Sequence, residues 1–271
     1  MRKILSLLLM LFIFLGVAQA TFAKPNELKF IQVSDVHFVA GREDSQIALN
    51  ALVEEINTMN NIEFVIFTGD NIDNPNPENL HKFLKTVNQI DIPKFFVIGN
   101  HDVAVNTGLN KDRYIDIIRH HNWFYPAWKP NYVFKKKGIV FVVVDGAKQV
   151  IPGPNGYYKQ DTLDWLDKTL TKYKKKNVII IQHFPVVEPK KLRSHSTYKA
   201  EKYLEVLNKH ENVMALISGH YHTNKEDMRN GVYHVSTPAF AEEPHPYKLI
   251  EIVRTKNFLP MMFTQLRAVD L

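Results

Sequence analysis

The chain has 271 residues, of which 45% are hydrophobic and 23% are charged, and its formal net charge is +6. These proportions are typical of a globular protein and exclude disordered, collagen-like and coiled-coil classes. The chain contains no cysteine, which excludes disulfide bonds, thiolate zinc sites, a cysteine nucleophile and a lipid anchor on cysteine. The length is ample for a sizeable hydrophobic core.

Residues 1–20 have the pattern of a secretory signal peptide. The segment starts with two basic residues after the initiating methionine, continues with an almost unbroken apolar run and ends in AQA, an A-x-A cleavage pattern. We therefore expect cleavage after Ala20, a single mature domain over residues 21–271, and a periplasmic or extracellular location. Cleavage after Ala23 and retention as a membrane anchor are the alternatives, although an anchor needs about 20 apolar residues and this run is shorter.

Much of the positive charge lies in three lysine clusters, at 135–137, 174–176 and 190–191. Such clusters are typical of solvated loops and helix ends. They could also attract phosphorylated substrates or anionic surfaces by long-range steering. Because they are scattered and match no nucleic-acid motif, we expect no nucleic acid as a specific partner. After signal cleavage we expect no association with a membrane.

Short strand-like runs alternate with segments of helical periodicity along the chain. The runs are nearly continuously apolar, as expected for strands buried on both faces, and predict strands at 28–34, 64–68, 94–98, 139–144, 178–182 and 213–218. Helical periodicity predicts helices at 44–59, 78–90, 111–121, 160–173 and 198–209. Three further strand-like runs without helices between them, which predict an antiparallel return, lie at 232–236, 248–253 and 261–265.

Potential metal ligands follow five of the predicted strands. They lie in the segments SDVH ending at His37, GDNID ending at Asp73, GNHD ending at Asp102, QH ending at His183, and GHYH ending at His222. Ligand sites in open α/β sheets gather at the carboxyl ends of strands, so we expect these side chains to meet. Imidazole with carboxylate suits zinc, manganese or iron.

The spacing within these segments suggests how the donors converge. On an extended backbone, alternate side chains of an Asp-x-His or His-x-His pair would project to one side and reach the same volume. Glycine before Asp70, Asn100 and His220 would let the backbone turn sharply and come close to an ion. A carboxylate such as that of Asp70 can bridge two cations, and two cations about 3.5–4 Å apart form a hydrolytic site for phosphate esters.

The ordered set D-x-H, G-D-x-x-D, G-N-H-D, a lone H and G-H-x-H resembles the calcineurin-like metallophosphoesterase superfamily over residues 28–240. The resemblance implies an α/β fold, a four-layer α/β/β/α sandwich of two mixed sheets flanked by helices, with a centre of two Mn, Fe or Zn ions. By motif position, the implied ligands are Asp35, His37 and His222 for the first metal, Asp70 as the bridge, and Asn100, His183 and His220 for the second.

Two further residues take catalytic roles by the same resemblance. His101 matches the family histidine that is not a ligand but faces the substrate, where it would stabilise the transition state or protonate the leaving oxygen. Asp73 matches the carboxylate that orients this histidine. Asp102 stands at a variable acidic position and is not expected to be catalytic. The implied reaction is in-line attack of a metal-bridging hydroxide on phosphorus, with no covalent enzyme intermediate.

Within the superfamily, the chain is similar to class III cyclic nucleotide phosphodiesterases and general phosphohydrolases. Asn74-Pro75 stands where protein serine/threonine phosphatases have Arg-Gly, and Asp73 stands where purple acid phosphatases have their tyrosine. We therefore expect an exported phosphoesterase that cleaves small phosphomonoesters or phosphodiesters. The alternatives are a non-catalytic binding protein, which would be expected to lack a ligand position, and a nuclease, which would need a DNA-gripping extension.

Two residues are candidates for contact with the substrate. His195 lies in the polar loop at 188–197, which follows a ligand-bearing segment. Trp123 begins an aromatic cluster that continues to Tyr132 and could form a wall that stacks against a base or ring. Packing between sheet and helix is the alternative for this cluster.

Overall fold

The computed structural model describes residues 26–254 and 260–271. The predicted signal peptide at 1–20 and the alternative cleavage site at Ala23 lie outside these residues. The described strands are β1 (Asn26–Val33), β2 (Ile62–Phe67), β3 (Lys94–Phe96), β4 (Tyr132–Lys136), β5 (Ile139–Val144), β6 (Val178–Gln182), β7 (Val213–Ser218), β8 (Lys225–Arg229), β9 (Val232–Ser236), β10 (Pro246–Arg254) and β11 (Met261–Ala268). The described α-helices are α1 (Glu43–Thr58), α2 (Pro77–Val87), α3 (Lys111–His121), α4 (Gln160–Lys172) and α5 (Ala200–Leu207).

The strands form two mixed sheets. The first sheet has the order β11-β10-β1-β2-β3, and the second has the order β4-β5-β6-β7-β9-β8. Strands β1, β2 and β3 run parallel to one another, and β10 runs antiparallel to both β1 and β11. In the second sheet β5, β6, β7 and β9 are parallel, with antiparallel β4 and β8 at the two edges. This arrangement confirms the predicted pair of mixed sheets.

The helices form because each has one apolar face and a defined start. Helix α1 buries a stripe of residues spaced three and four apart against its sheet, among them Leu49, Leu52 and Ile56. Helix α2 starts where the Asn76 side chain accepts a hydrogen bond from the Asn79 amide, followed by proline at the first helical position. Helices α1 to α3 follow the parallel strands of the first sheet, and α4 and α5 connect parallel strands of the second, which gives the four layers.

The core between the two sheets is largely aromatic. The rings of Phe30 on β1 and Phe64 on β2 stack with centroids 4.7 Å apart. Phe141 on β5 meets the Phe64 ring edge-on at 5.1 Å, and Phe134 on β4 stacks on Phe95 of β3 at 3.7 Å. These contacts run from one sheet to the other, so the two sheets pack face to face over this layer.

Strands β4 and β8 were not predicted from the sequence, and the expected antiparallel return needs correction. Strand β8 reads KEDMR and lies mostly exposed at a sheet edge, so it has no apolar pattern to detect. Strand β4 reads YVFKK and ends in lysines. The prediction of a wholly antiparallel return is wrong at β9, which pairs in parallel with β7, whereas β10 and β11 are antiparallel as expected.

The aromatic cluster at 123–132 divides between core and surface. Tyr125 and Tyr132 are buried, and the Tyr132 hydroxyl donates to the main-chain oxygen of Phe96 at 2.9 Å. Trp123 and Phe124 are instead about nine-tenths exposed, at 88% and 90%. Within the described residues, no helix is long and apolar enough to cross a membrane.

Candidate metal centre

The loops that follow β1, β2 and β3 meet those that follow β6 and β7. The Asp35 amide donates to the main-chain oxygen of Gly69 at 3.0 Å, and the His101 amide donates to Asp70 Oδ1 at 2.8 Å. From the other sheet, the His220 amide donates to Asp35 Oδ2 at 2.9 Å. The carboxyl ends of both sheets therefore converge on one place, as expected for a ligand site in an α/β fold.

Carboxylates and imidazoles form overlapping clusters at this place. In each cluster the donor atoms lie within 4.8 Å of one another, and the clusters are Asp35 with His37 and His222, Asp70 with His183 and His220, and His37 with Asp70 and His101. Asp70 Oδ2 lies 3.3 Å from His183 Nε2 and 3.9 Å from His37 Nε2. The Asp70 carboxylate thus belongs to the second cluster and also approaches His37 of the first, as the resemblance implies for a bridging ligand.

Several donor atoms at the centre are buried without a hydrogen bond from any described residue. They are Asp35 Oδ1, Asn100 Oδ1 and both ring nitrogens of His37. His37 Nδ1 lies 3.3 Å from Asp73 Oδ1, but in a geometry that does not meet hydrogen-bond criteria. Burial of unpaired polar atoms is costly unless another partner satisfies them. Oxygen and imidazole donors of this kind fit a pair of borderline transition-metal cations.

Three of the histidines are held by their outer ring nitrogens. His183 Nδ1 donates to the Thr68 main-chain oxygen at 2.9 Å, and His222 Nδ1 donates to Glu242 Oε1 at 2.8 Å. His220 Nε2 donates to the main-chain oxygen of His195 at 3.2 Å. In each case the ring nitrogen that points away from the centre holds a proton and donates it to an oxygen. In the neutral ring, the other nitrogen, which faces the centre, can offer its lone pair to a cation.

Burial and the neighbouring charges set the protonation of these groups. Burial disfavours the charged form of Asp70, yet the rings of His183 and His37 hold the pKa of Asp70 well below its usual range. Burial likewise disfavours a charged His183, but Asp70 and Asp35 raise the pKa of His183 to about 9. Burial has the same effect on His222, and the Asp35 carboxylate outweighs it and raises the pKa of His222 to about 9. The centre therefore favours positive charge beside its two carboxylates, which cations would supply.

Metal affinity is expected to fall as the pH is lowered. Because the pKa values of His183 and His222 are about 9, each ring without metal carries a second proton, on its inner nitrogen, at neutral pH. A cation must displace this proton to bind the inner nitrogen. Affinity should rise from pH 6 to pH 8, by roughly tenfold or more per pH unit. Titration calorimetry with Mn²⁺ in two buffers of different ionisation enthalpy would measure both the affinity and the protons released. A pH-independent affinity without proton release would contradict this assignment.

His101 and Asp73 contact each other, although not through the group that was expected. His101 Nδ1 donates to the main-chain oxygen of Asp73 at 2.8 Å, whereas the Asp73 carboxylate lies 3.8 Å from the same nitrogen. The Asp73 carboxylate is closer to His37 Nδ1, at 3.3 Å. In this structure the carbonyl of Asp73 orients His101, and its carboxylate faces a predicted ligand.

Asp102 has a structural role that the sequence analysis did not assign. Its buried carboxylate accepts hydrogen bonds from the amides of Gly99, Asn71 and Ile72 at 2.7, 2.8 and 3.1 Å. Burial and the nearby Asp70 carboxylate raise the pKa of Asp102 to about 7. Asp102 thus joins the loop after β3 to the loop after β2, which fixes the positions of Asp70 and Asn100 relative to each other. Glu242, which orients His222, was also missed, because it belongs to no motif of fixed spacing.

The backbone at the ligand pairs is left-handed. The φ angles are 52° at Asp35, 45° at His37, 50° at Asp70, 71° at His220 and 47° at His222. The prediction of an extended backbone is therefore wrong for the pair Asp35 and His37 and for the pair His220 and His222. Residues other than glycine adopt this region at a cost and are concentrated at functional sites, where the surrounding structure holds them.

The glycines of the motifs are needed because ligands pack directly against them. A Cβ atom at Gly219 would overlap Ser34 Oγ and lie 2.5 Å from Asp35 Oδ2, and one at Gly69 would lie 2.5 Å from His183 Nδ1. At Gly99 a Cβ atom would overlap Asp70 Oδ1. The close approach is thus to the predicted ligand side chains.

Gly219→Ala is expected to destabilise the fold and to displace Asp35. Overpacking of this kind costs about 1–3 kcal/mol. The free energy of unfolding from urea titration should fall by this amount, and the Mn²⁺ content per chain should fall with it. Gly153→Ala is the matched control, because the nearest atom to its Cβ, Lys148 Nζ, lies 3.6 Å away. Equal metal content in both variants would contradict the prediction.

The two candidate substrate residues lie in different places. The His195 ring lies 5.1 Å from the His220 ring between centroids, at the edge of the centre. Trp123 follows α3, and its neighbour Phe124 lines a groove with Pro93 and Lys94 at the amino end of β3. The metal centre lies at the carboxyl end of the same strand. This position of Trp123 does not support the expected role in substrate binding.

Adjoining Asp/His clusters at the carboxyl edges of two packed mixed sheets define the class of metallophosphoesterases. The family model for calcineurin-like phosphoesterases matches residues 28–224, which include all the predicted ligands. The chain belongs to the calcineurin-like phosphoesterase family. It is therefore a hydrolase of phosphoric ester bonds.

Relatives agree with this assignment. The chain is 30% identical over 207 residues to the protein named "Probable glycerophosphodiester phosphodiesterase GpdQ" of Arcobacter nitrofigilis, covering 71% of each chain. It is 23% identical over 233 residues to the 3',5'-cyclic adenosine monophosphate phosphodiesterase CpdA of Haemophilus influenzae, covering 80% of this chain and 78% of that protein. A dimetal phosphatase from Danio rerio superposes with a TM-score of 0.63 at 19% identity, covering 88% of this chain and 98% of that chain. This likeness concerns the fold, and it confirms the predicted sandwich.

Proposed function

We propose that the mature protein is an exported, metal-dependent phosphodiesterase that acts on small phosphodiesters. The main support is that two Asp/His clusters adjoin where the sheets converge, and that the Asp70 carboxylate of one cluster approaches His37 of the other. The relatives named as a glycerophosphodiester phosphodiesterase and a cyclic adenosine monophosphate phosphodiesterase support a diester substrate over a monoester.

Seven side chains would hold two cations, either divalent or trivalent, of manganese, iron or zinc. The first cation would be held by Asp35, His37 and His222, the second by Asn100, His183 and His220, and Asp70 would contact both. When bound, such a pair supplies Lewis acidity at the phosphoryl oxygens and a nucleophile made from water near neutral pH.

His101 would give a proton to the leaving oxygen. Its side chain is 42% exposed, and its ring lies 4.8 Å from the ring of His37, so it can contact a substrate held beside the centre. Because Nδ1 donates to the Asp73 main-chain oxygen at 2.8 Å, Nε2 is the ring atom left to hold the transferred proton. Imidazole is the side chain most often used to transfer a proton in catalysis at neutral pH.

The substrate class can be tested with the metal-stripped chain reloaded with Mn²⁺. We expect kcat/KM for bis(p-nitrophenyl) phosphate to exceed that for p-nitrophenyl phosphate by about tenfold or more. In a diester the second ester group stays on phosphorus during the reaction, and it can contact enzyme residues outside the metal centre. The kcat/KM values for glycerophosphodiesters and for 3',5'-cyclic nucleotides would then be compared, as two classes of candidate natural substrate. Faster cleavage of the monoester would overturn the proposal of a diester substrate. Absence of turnover with two cations bound would overturn the proposal that the protein is a phosphoesterase.

Export rests on the signal-peptide pattern of residues 1–20. The N-terminus of the protein recovered from its host would be determined by mass spectrometry. A chain that begins at Thr21 or Lys24 in the exported fraction supports the proposal. An intact chain in the cytoplasmic fraction would overturn it.

A further inference from the structure

The end of the sandwich opposite the metal centre has an unusual surface. Because the carboxyl ends of the parallel strands converge at the centre, their amino ends lie together at the other end. The two sheets meet there as well: Lys137 Nζ, between β4 and β5, lies 2.7 Å from Glu63 Oε1 of β2 and donates to the Glu27 main-chain oxygen of β1 at 3.0 Å. We call this surface the amino-end face, and its cationic part consists of Lys135 to Lys137, Lys174 to Lys176, Lys209 and Arg229.

The amino-end face carries more basic than acidic side chains. Two of the three lysine clusters of the sequence lie on it, in the turn before β5 and in the segment before β6. Lys174, Lys175, Lys176 and Lys209 are exposed and line one shallow depression before β6 and β7. The acidic residues at this end are Glu27, Glu63, Asp91, Asp167, Glu211 and Asp227. Two of them neutralise members of the cationic part, since Glu63 lies 2.7 Å from Lys137 and Asp227 lies 3.3 Å from Arg229. Asp167 lies 2.7 Å from His210 Nε2, which borders the depression.

Large apolar side chains are exposed on the same face. Trp123 and Phe124 are 88% and 90% exposed, and Phe124 borders a groove that includes Lys94 at the amino end of β3. Met228 and Met261 are 62% and 48% exposed and border a groove with residues that precede β7. Exposed aromatic side chains and lysines on one face are the combination found at protein surfaces that contact lipid headgroups.

The start of the described chain lies on this face too. Asn26 pairs with Arg254 at the amino end of β1, so residues 1–20 connect to the folded body at this end through a linker of only five residues. If residues 1–20 stayed in a membrane as an anchor, this face would be the part of the folded body nearest to the bilayer.

We propose that the amino-end face docks on an anionic lipid bilayer and leaves the metal centre directed away from the membrane, open to soluble substrates. Lysines attract the phosphate groups of anionic lipids, and the exposed aromatic rings enter the headgroup layer. This inference departs from the expectation that the mature chain has no membrane association, and it does not depend on which phosphoric ester the enzyme cleaves.

The test uses the metal-loaded chain from Thr21, which contains every described strand and helix but lacks the apolar leader. Co-sedimentation would be measured with vesicles of phosphatidylcholine alone and with vesicles containing 40% phosphatidylglycerol, at 100 and 500 mM NaCl. We expect binding to the anionic vesicles at low salt, weak binding at high salt, and little binding to neutral vesicles.

Two double variants test whether the amino-end face causes the binding. The double variant Lys174→Gln/Lys175→Gln should weaken binding by about tenfold or more, because each lysine near an anionic surface contributes about fivefold. The variant Trp123→Ser/Phe124→Ser should also weaken binding, and it should abolish the part that persists at high salt.

The charge-matched control is Lys190→Gln/Lys191→Gln, which removes the same charge from the loop that carries His195 at the metal-centre end. It should change binding less than twofold. Equal loss in the control and in the Lys174/Lys175 variant would overturn the proposal, because net charge rather than this face would then cause the binding. Absence of binding to anionic vesicles at 100 mM NaCl would overturn it, as would equally tight binding to duplex DNA.

Discussion

Asp70→Asn is expected to lower kcat/KM for bis(p-nitrophenyl) phosphate by on the order of 10³-fold. The carboxylate lies 3.3 Å from His183 Nε2 of its own cluster and 3.9 Å from His37 Nε2 of the other cluster. A neutral amide at this position removes the negative charge that both predicted cation positions share. Metal content per chain, measured by plasma mass spectrometry, should fall from two to one or fewer.

The fold should survive this substitution. Asparagine has nearly the shape of aspartate, and its amide oxygen can still accept the hydrogen bond that the His101 amide donates to Asp70 Oδ1 at 2.8 Å. The matched control is Asp164→Asn on α4, an exposed carboxylate that accepts a hydrogen bond from Gln160. Full activity and two cations per chain in Asp70→Asn would contradict the assignment of the bridging position.

His101→Gln is expected to lower kcat by about 10²–10⁴-fold while metal content stays at two per chain. His101 contacts the centre through its main-chain amide and through the Asp73 carbonyl, and its ring is not among the seven predicted ligands. Loss of activity with retained metal would therefore indicate that His101 is a proton donor and not a metal ligand.

The effect of His101→Gln should depend on the leaving group of the substrate. p-Nitrophenolate leaves readily without a proton, whereas an alkoxide needs one. The loss in His101→Gln should be at least about tenfold larger for an alkyl phosphodiester than for bis(p-nitrophenyl) phosphate. His195→Gln is the control, since this ring also lies at the edge of the centre but donates no proton in the account given above. An equal loss for both leaving groups would contradict the role of His101 as general acid.

The position of the centre could be predicted from the sequence because the donors follow consecutive buried strands. Parallel strands of one sheet bring their carboxyl ends to one edge, so Asp35 and Asp70 of the first sheet could be expected to lie close together. The approach of His183 depends in addition on how the second sheet packs on the first. The local conformation could not be predicted in the same way. The left-handed backbone at Asp35 and His222 depends on hydrogen bonds between loops that are distant in sequence, such as the His220 amide to Asp35 Oδ2.

Residues that support the centre were harder to predict than those that form it. Asp102 and Glu242 act through contacts 31 and 20 residues away, to Asn71 and His222 respectively. No pattern of spacing marks such contacts. The role expected of the Asp73 carboxylate toward His101 falls to its main-chain carbonyl in the structure, a distinction that depends on one loop conformation. Trp123 was a candidate for the substrate wall on composition alone, and helix α3 carries it to the opposite end of the sheet.

A crystal structure of the Mn²⁺-loaded chain, with anomalous data collected above the manganese edge, would show directly whether the centre holds two cations. We expect two anomalous peaks about 3.5–4 Å apart, one beside Asp35, His37 and His222 and one beside Asn100, His183 and His220. Both peaks should lie within coordination distance of the Asp70 carboxylate. A single peak, or two peaks that do not share Asp70, would contradict the dinuclear centre on which the proposed function depends.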